Sequence, residues 1–284
     1  MPSPARNPVV ETYSRLAEEY DSAPNRASCW GRVSCETLAQ IAIDFAHGTV
    51  LDVGCGTGFE LAQLSASAAP TVRFVGVEPA PKMCEVAAAR TAEYPNVRIL
   101  RGSFEDLPLE DDSVDYLYSL LAFHWTTDLE RSVSELRRVL RPDARMDLFF
   151  IGRKNGAEFI KATTPVFFRF LSPATMLKAA SLRKQLTLEQ ARALFEDAFP
   201  GPRLSVEESF VTYHDTLEGH WGWWVRIEGQ FLEVSPETRA ECDSAVRQAL
   251  SQLAGDEGIP YTVHLLHVRL GAQTEPGGDG GRSE

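Results

Sequence analysis

The sequence predicts an α/β fold in which a mostly parallel sheet carries helices on both faces, and two observations lead to this prediction. Short apolar runs with the length of strands alternate with helical stretches between residues 49 and 151. Such repeats build parallel sheets, because the connection between two parallel strands is usually a helix. The first strand also runs into a glycine-rich loop and a helix, an arrangement typical of the ligand-binding edge of such a sheet.

The spacing of apolar residues gives the individual elements. Apolar residues recur at helical spacing from Val10 to Tyr20, which predicts a helix over 10–21, and a second amphipathic helix is predicted over 33–47. The predicted strands are 49–53, 72–77, 97–100, 114–120, 146–151, 204–213 and 261–270. The predicted later helices are 58–66, 80–93, 128–140, 187–198 and 236–253.

The same pattern divides the chain into three parts. Residues 1–48 form an N-terminal arm with cap helices, and residues 49–271 form the sheet domain. Two stretches, at about 153–186 and 215–258, do not fit the alternation and are expected to be helical lid insertions. Residues 272–284 are rich in glycine and charge without apolar anchors, so this tail is expected to be disordered.

Composition and charge bear on the class of partner. The 284 residues carry 28 basic and 40 acidic side chains, a net charge of −12, which argues against nucleic acid and anionic membranes as partners. No apolar run reaches the roughly 18 residues of a membrane span, and no signal peptide is indicated. The five cysteines include no C-x-x-C pair, so a cytoplasmic location is expected. Arginine greatly outnumbers lysine, which suggests a high-GC bacterial source.

The glycine-rich loop carries the first chemical signal. After Asp52, the residues Gly54-Cys55-Gly56-Thr57-Gly58 place three glycines at alternate positions, where the backbone can turn tightly and approach a ligand. The next helix would offer its N-terminal N–H groups to that ligand. Phe59 stands where the dinucleotide fingerprint G-x-G-x-x-G has its last glycine, which argues against NAD and FAD. The phosphate loop of ATP- and GTP-hydrolysing proteins is absent.

Glu78 carries the second signal. It ends the second predicted strand, 20 residues after Gly58. A carboxylate at such a strand end can accept hydrogen bonds from both hydroxyls of a ribose. The loop and Glu78 together therefore predict a nucleoside ligand with free 2′ and 3′ hydroxyls.

Five segments, the first two of which contain these motifs, carry a family resemblance. The segments are LDVGCGTG, VGVEPAPKM, GSFEDLP, VDYLYSLLAFHW and ELRRVLRPDARM. Over about residues 10–152 the chain resembles the class I S-adenosylmethionine-dependent methyltransferases, in particular the small-molecule, type 11 group of ubiquinone-type and biotin-pathway enzymes. The resemblance implies a Rossmann-like, seven-stranded, mostly parallel sheet with an antiparallel last strand, and S-adenosyl-L-methionine as the cofactor.

The resemblance also implies roles for individual residues. Asp52 would organise the loop near the methionine end of the cofactor, and Glu78 would bind the ribose. The full set of cofactor-binding residues it implies is Tyr13, Tyr20, Asp52, Gly54, Cys55, Gly56, Gly58, Glu78, Pro79, Met83, Ser103, Phe104, Glu105 and Leu120. The family often has Asp then Ala where Ser103 and Phe104 stand. The usual acceptor for the adenine amino group is therefore missing, and whether Glu105 replaces it stays open.

The predicted activity is methyl transfer to a small, hydrophobic or aromatic metabolite, with natural-product biosynthesis as a context. His124 follows the fourth strand and is the candidate general base. The alternative for His124 is packing beside Trp125 at a helix start. The candidates for the acceptor pocket are Phe167, Phe168, His214, His220, Trp221 and Trp224. For the aromatic members of this set, the alternative is packing within a lid helix.

Two alternative functions and the oligomeric state stay open. An RNA or protein methyltransferase is one alternative function, although the acidic charge argues against RNA. A cofactor-binding protein that transfers no methyl group is the other. Homo-oligomerisation is left open. No metal site is predicted, because His264 and His267 would point to opposite faces of the last strand.

Overall fold

A computed structural model describes residues 7–226 and 232–271 of the chain, and these residues include a seven-stranded sheet. The strands are β1 (Gly48–Val53), β2 (Val72–Glu78), β3 (Val97–Arg101), β4 (Val114–Leu120), β5 (Leu140–Ile151), β6 (Leu204–Asp215) and β7 (Ile259–Leu270). The helices are α1 (Pro8–Leu16), α2 (Ala23–Ala27), α3 (Cys29–Leu38), α4 (Phe59–Ser67), α5 (Pro81–Arg90), α6 (Leu129–Val139), α7 (Ala157–Phe170), α8 (Pro173–Ser181), α9 (Leu188–Ala198), α10 (Leu217–Arg226) and α11 (Pro236–Ser251).

The strand order is β3-β2-β1-β4-β5-β7-β6. The first five strands in this order pair in parallel, and β7 lies antiparallel between β5 and β6. The predicted mostly parallel sheet with an antiparallel last strand is confirmed. The strand order reverses at β1, and in such sheets the crevice beyond the reversal is where ligands bind.

The burial of β1 explains why it lies in the middle of the sheet. Val50, Leu51 and Val53 are all fully buried. Leu51 and Val53 pack in the cluster on one face of the sheet, and Val50 packs in the cluster on the other face. Successive strand residues point to opposite faces, so a strand that is apolar at consecutive positions must be covered on both sides.

The N-terminal helices differ from their predicted limits. The first begins at Pro8, because the Asn7 side chain accepts a hydrogen bond from the Val9 N–H at 3.0 Å and caps it. The third helix ends at Leu38, whereas the sequence predicted a helix to residue 47. Beyond it Ile41, Ile43 and Phe45 all pack against the same core cluster. This spacing of two residues belongs to an extended chain and not to a helix.

Strand β5 is longer than the predicted 146–151. It begins at Leu140, directly after α6, and its residues 141–143 are exposed. The exposed polar residues Arg141 and Asp143 hide the start of the strand from an analysis of apolar spacing. The pairing with β4 also shifts register between Val114 and Tyr116, which marks an irregularity at this end.

Residues of the two expected insertions pack together in a second core. Phe159 and Phe167 from α7 lie in one buried cluster with Trp223 from α10 and Val246 from α11. Tyr261 of β7 belongs to the same cluster, so the cluster rests on the antiparallel part of the sheet. The predicted disordered tail, 272–284, lies outside the described residues.

Candidate functional site

A cavity of about 540 Å³ lies beyond the carboxyl ends of β1, β2 and β4. Its walls come from the loops that follow these strands and from α1–α3. All the cofactor-binding residues implied by the sequence line this cavity except Gly58. A Cβ atom on Gly58 would lie 3.0 Å from the Cβ of Ala87, so this glycine lets α4 and α5 approach each other.

The loop after β1 turns through glycines with left-handed backbones. Gly54 has a φ of 79°, and a Cβ there would lie 2.4 Å from the Cβ of Ala122. Gly56 has a φ of 54°, and a Cβ there would meet no described atom within 4 Å. Because Gly56 lines the cavity, its open side faces space that a ligand can fill.

Glu78 is held in place by the same loop. One of its carboxylate oxygens accepts the N–H of Gly56 at 3.1 Å, and the other accepts the N–H of Ala80 at 2.8 Å. Burial raises the pKa of Glu78 to about 7, against the two hydrogen bonds that lower it. A carboxylate has about four acceptor sites, so each oxygen can still accept a hydroxyl.

Asp52 is a second buried carboxyl group in the cavity wall, 3% exposed. Burial raises its pKa well above the usual range, and the Tyr118 hydroxyl opposes this rise. The charges of Glu60 and Glu78 raise it further. A cation in the cavity would oppose this rise in the pKa of Asp52, because a nearby positive charge favours the ionised carboxylate.

The charge of the cavity is one-sided. Among the described residues that line it, five carry carboxyl groups and one carries a guanidinium, Arg26. The five are Asp21, Asp52, Glu60, Glu78 and Glu105. A cleft with low-dielectric walls concentrates such a field, so this site favours a cationic ligand.

The N-terminal helices close one side of the cavity. Tyr13 and Tyr20 lie with ring centroids 5.8 Å apart, and Tyr13 meets Trp125 edge to face at 6.0 Å. Asp21 accepts the hydroxyl of Thr57 at 2.7 Å and pairs with Arg90 at 2.6 Å. The cap is therefore tied directly to the loop that follows β1.

Glu105 supports the opposite rim. One of its oxygens accepts the hydroxyl of Thr126 at 2.6 Å and both the N–H and the hydroxyl of Thr127, at 2.6 and 2.8 Å. These bonds outweigh partial burial and lower its pKa to about 2. Glu105 is thus an ionised carboxylate that orders the turn at 126–128, a role the sequence did not indicate.

Leu121 is a residue of this site that the sequence analysis missed. It has a φ of 58°, in the left-handed region that non-glycine residues seldom adopt. Its N–H donates to the Phe149 carbonyl at 2.8 Å, which holds the chain in this shape after β4. Strained residues of this kind cluster at ligand sites, and Leu121 lines the large cavity.

A smaller cavity of about 70 Å³ adjoins the large one. The two share the wall residues Tyr13, Tyr20, Asn25, Trp30, Leu121 and Trp125. His124 lines the smaller cavity and is 5% exposed, on a short 3₁₀ turn, Phe123–Trp125. Burial and the charge of Arg183 lower its pKa to about 3. His124 is therefore a neutral imidazole at physiological pH.

Most of the residues predicted for the acceptor pocket line neither cavity. Phe167 is buried in the second core and Phe168 is 58% exposed, and neither lines either cavity. His214 lies 3.5 Å from Glu257, outside both walls. His220 is fully buried and hydrogen-bonded to the Ile259 carbonyl at 2.8 Å.

The two remaining candidates belong to α10. Trp221 packs against the second core. The guanidinium carbon of Arg247 lies 4.9 Å from the centroid of the Trp221 ring. The side chain of Trp224 lies outside the described residues. Instead, Trp223, one residue earlier, lines the smaller cavity. The sequence indicated α10, but its apolar content alone could not show which of its residues lines a cavity.

Arg183 and Trp30 are two further wall residues that the sequence analysis did not single out. In the described part of the chain there is no cluster of three or more side chains suited to hold a metal ion. His264 contacts Glu208, and His267 contacts Asp147. No helix in residues 7–226 and 232–271 is long and apolar enough to cross a membrane.

Comparison with known proteins gives matches in sequence. Residues 51–146 match the family model of a methyltransferase domain. Demethylmenaquinone methyltransferase of Staphylococcus aureus is 29% identical over 205 residues, 72% of this chain and 85% of that protein. An uncharacterised 37.1 kDa protein of a Streptomyces fradiae transposon is 36% identical over 106 residues, 37% of this chain. That match spans 31% of the transposon protein.

Solved structures share the fold. The YcgJ protein of Bacillus subtilis superposes with a TM-score of 0.57 at 21% identity, over 84% of this chain and 99% of that protein. A methyltransferase of Thermotoga maritima, described as dependent on S-adenosylmethionine, gives a TM-score of 0.54 at 18% identity. It is matched over 93% of this chain and 100% of its own.

Proposed function

Since the chain is a class I S-adenosylmethionine-dependent methyltransferase of the type 11 group, we propose that its acceptor is a small hydrophobic or aromatic metabolite. The observation that carries this proposal is the pair of adjoining cavities. The larger one suits the cofactor because carboxyl groups line it and because Gly56 leaves open space beside its backbone. The smaller one is walled by aromatic rings, among them Trp30, Trp125 and Trp223.

The residues of the large cavity fit the cofactor. S-adenosyl-L-methionine is cationic at its sulfonium and amino groups, and the cavity is lined mainly by carboxyl groups. We assign the ribose hydroxyls to Glu78, whose oxygens keep acceptor sites. Asp52 and the backbone of the 54–58 loop hold the methionine end. Pro79, Met83 and Phe104 supply apolar surface for the adenine.

Methyl transfer requires correct positioning of the acceptor more than it requires proton transfer. When bound, the cofactor supplies a methyl group that is already electrophilic because the sulfur carries a positive charge. The chain must orient the acceptor. Orientation can lower the activation barrier by several kcal/mol, out of the about 7–11 kcal/mol that well-placed reactants gain. Tyr13, Tyr20 and Trp125 line both cavities, so they form the boundary across which the two ligands meet.

His124 is our candidate for a group that accepts a proton from the acceptor. It lines the smaller cavity, within the acceptor site of this proposal. Its pKa of about 3 makes it a weak base while the cavity is empty of acceptor. A negative charge bound beside Arg183 would offset the cation that lowers this pKa, and so would strengthen the base.

The acceptor class is supported by one relative. The Staphylococcus aureus protein acts on demethylmenaquinone by its name, and it is matched over most of its length. The smaller cavity, at about 70 Å³, has room for only part of such a molecule, so an apolar ring would lie against the aromatic residues that the two cavities share. Negative net charge makes nucleic acid a poor alternative acceptor.

The test is a transfer assay with two readouts. The purified chain is incubated with S-adenosylmethionine carrying a labelled methyl group and with fractions of a bacterial metabolite extract. We expect label in an organic-soluble small molecule, and S-adenosylhomocysteine formed only when that fraction is present. Label in added tRNA or protein instead, or cofactor binding without any transfer, would overturn the proposed acceptor class.

A further inference from the structure

The smaller cavity holds a cation set among aromatic rings. Arg183 lines this cavity, and its guanidinium carbon lies 4.9 Å from the centroid of the Trp125 ring. Arg183 acts on the pKa of His124 and of Tyr13, which shows that its charge is felt across the cavity. Because a guanidinium is planar, charged and has five N–H donors, it can form charge-assisted hydrogen bonds with a carboxylate or a phosphate.

Backbone hydrogen bonds order the segment that carries Arg183. Lys184, the next residue, donates its N–H to the carbonyl of His124 at 2.7 Å. Arg153 donates its N–H to the Leu186 carbonyl at 2.9 Å, so the segment after α8 is also bonded to the chain that follows β5. A cation held at a defined place in a cavity is better suited to binding a specific group than one on a mobile surface.

Two buried polar atoms belong to the residues of the same wall. The indole N–H of Trp223 and Nδ1 of His124 are both buried, and neither has a hydrogen-bond partner among the described residues. Both residues line the smaller cavity, at 1% and 5% exposure. An indole N–H can only donate, so its missing partner must be an acceptor.

The charges of the two cavities are opposite. No aspartate or glutamate is among the described residues that line the smaller cavity, whereas five line the larger one. We propose that the smaller cavity binds an oxyanion of the acceptor, a carboxylate or a phosphate, through the guanidinium of Arg183 and the indole N–H of Trp223. This inference rests on the proposed function, because it places the acceptor in this cavity.

The proposal gives the acceptor a polarity. Its anionic group lies at Arg183, away from the carboxyl groups of the larger cavity, and its nucleophilic atom lies towards the shared wall. The carboxyl groups of the larger cavity favour the cationic sulfonium and amino groups of the cofactor, whereas Arg183 in the smaller cavity favours an anionic group. The segregated charges therefore keep each ligand in its own cavity.

The experiment is a calorimetric titration of the intact chain saturated with S-adenosylhomocysteine. The probes are benzoate and phenyl phosphate, with benzamide and benzyl alcohol as their uncharged counterparts. We expect at least one anion to bind about 10-fold or more tightly than its counterpart. The stronger of the two anions identifies the head group.

Variants test the assignment to residues. Arg183→Met should abolish the preference for the anion, Arg183→Lys should keep part of it, and Trp223→Phe should weaken it about 3- to 10-fold. Arg169→Met is the matched control, since Arg169 is 61% exposed, pairs with Glu241 and lines neither cavity. Binding of S-adenosylhomocysteine and the circular dichroism spectrum show that each variant is folded.

Two outcomes would overturn the inference. One is a wild-type chain that binds neither anion more tightly than its counterpart. The other is an Arg183→Met variant that keeps the preference. A chain that binds these anions but transfers no methyl group would contradict the proposed function alone. The anion titration is repeated without S-adenosylhomocysteine, so that it does not depend on cofactor binding.

Discussion

Asp21 accepts a hydrogen bond from the hydroxyl of Thr57 at 2.7 Å, although the two residues are 36 positions apart in the sequence, in the N-terminal cap and in the glycine loop. The same carboxylate pairs with Arg90 at 2.6 Å, and Arg90 also donates to the Thr57 carbonyl at 3.0 Å. These bonds join the cap, the loop and α5 at one point.

We expect Asp21→Asn to loosen the cap and to weaken cofactor binding. Asp21 lines the large cavity, so the cap should release the cofactor faster when this pair is broken. The pair is partly exposed, at 27% and 22%, and a loss of about 1 kcal/mol corresponds to about 5-fold in Kd. Stopped-flow release of S-adenosylhomocysteine measures it. Asp111→Asn, which breaks the Arg138 pair outside the cavity, should leave release unchanged.

We expect Gly56→Ala to prevent cofactor binding by filling space. The new methyl group would enter the cavity, because no described atom lies within 4 Å of its position. The left-handed backbone adds a cost of about 1 kcal/mol to folding. Gly201→Ala is the matched control, since Gly201 also has a positive φ and an open Cβ position but lies outside the cavity. Both variants should lose thermal stability, and Gly56→Ala alone should lose at least about 10-fold in affinity.

We expect cofactor affinity to rise with pH through about 7. The pKa of Glu78 is about 7, raised from an ordinary 4.5 by burial, and the ionised form is the better acceptor for two hydroxyls. At pH 6 about one Glu78 in eleven is ionised, so Kd should be about 10-fold weaker than at pH 8. Calorimetry at several pH values measures this. Glu78→Gln should bind weakly at every pH, whereas Glu85→Gln, at a 62% exposed position, should follow the wild type.

The same shift has a consequence for folding in the absence of ligand. A carboxyl group whose pKa is raised in the folded chain binds more protons there than in the unfolded chain. The contribution of Glu78 to stability should therefore be largest below about pH 4.5 and should fall as pH rises to about 7. A flat dependence of the Glu78 contribution, measured against Glu78→Gln by denaturant unfolding, would contradict the burial argument.

We expect His124→Asn to lower kcat if His124 accepts a proton during transfer. General bases contribute about 10²- to 10⁴-fold, and Kd for the cofactor should stay unchanged because His124 does not line the cofactor cavity. With a pKa of about 3, His124 should give no inflection near pH 6.5 in kcat/KM for the acceptor at saturating cofactor. His47→Asn, at an exposed position, is the control. An unchanged kcat in His124→Asn would exclude the base role.

Much of the wall of the large cavity could be predicted from the sequence, because many of its residues follow strand ends. Asp52 and Glu78 each come at the end of an apolar run, and parallel strands deliver their carboxyl ends to one edge. The strained Leu121 could not be found in this way. Nothing in its residue type signals a left-handed backbone.

The walls of the smaller cavity depend on tertiary packing, and the sequence did not predict most of them. Phe167 and Phe168 are neighbours of the same chemical type, yet one is 7% exposed and the other 58%, since consecutive helix residues face different ways. Arg183 lies in the loop after α8, more than a hundred residues from the glycine loop, and no periodicity links the two. Only the folded chain brings this cation beside His124 and Trp125.

The wall that the two cavities share should couple the binding of one ligand to the binding of the other. Tyr13 and Tyr20 contribute surface to both, so ordering this wall for one ligand changes the work left for the other. Such linkage is reciprocal: an acceptor that tightens cofactor binding by a given factor must itself be bound more tightly by that same factor. A thermodynamic cycle closed from the four dissociation constants would measure this coupling directly.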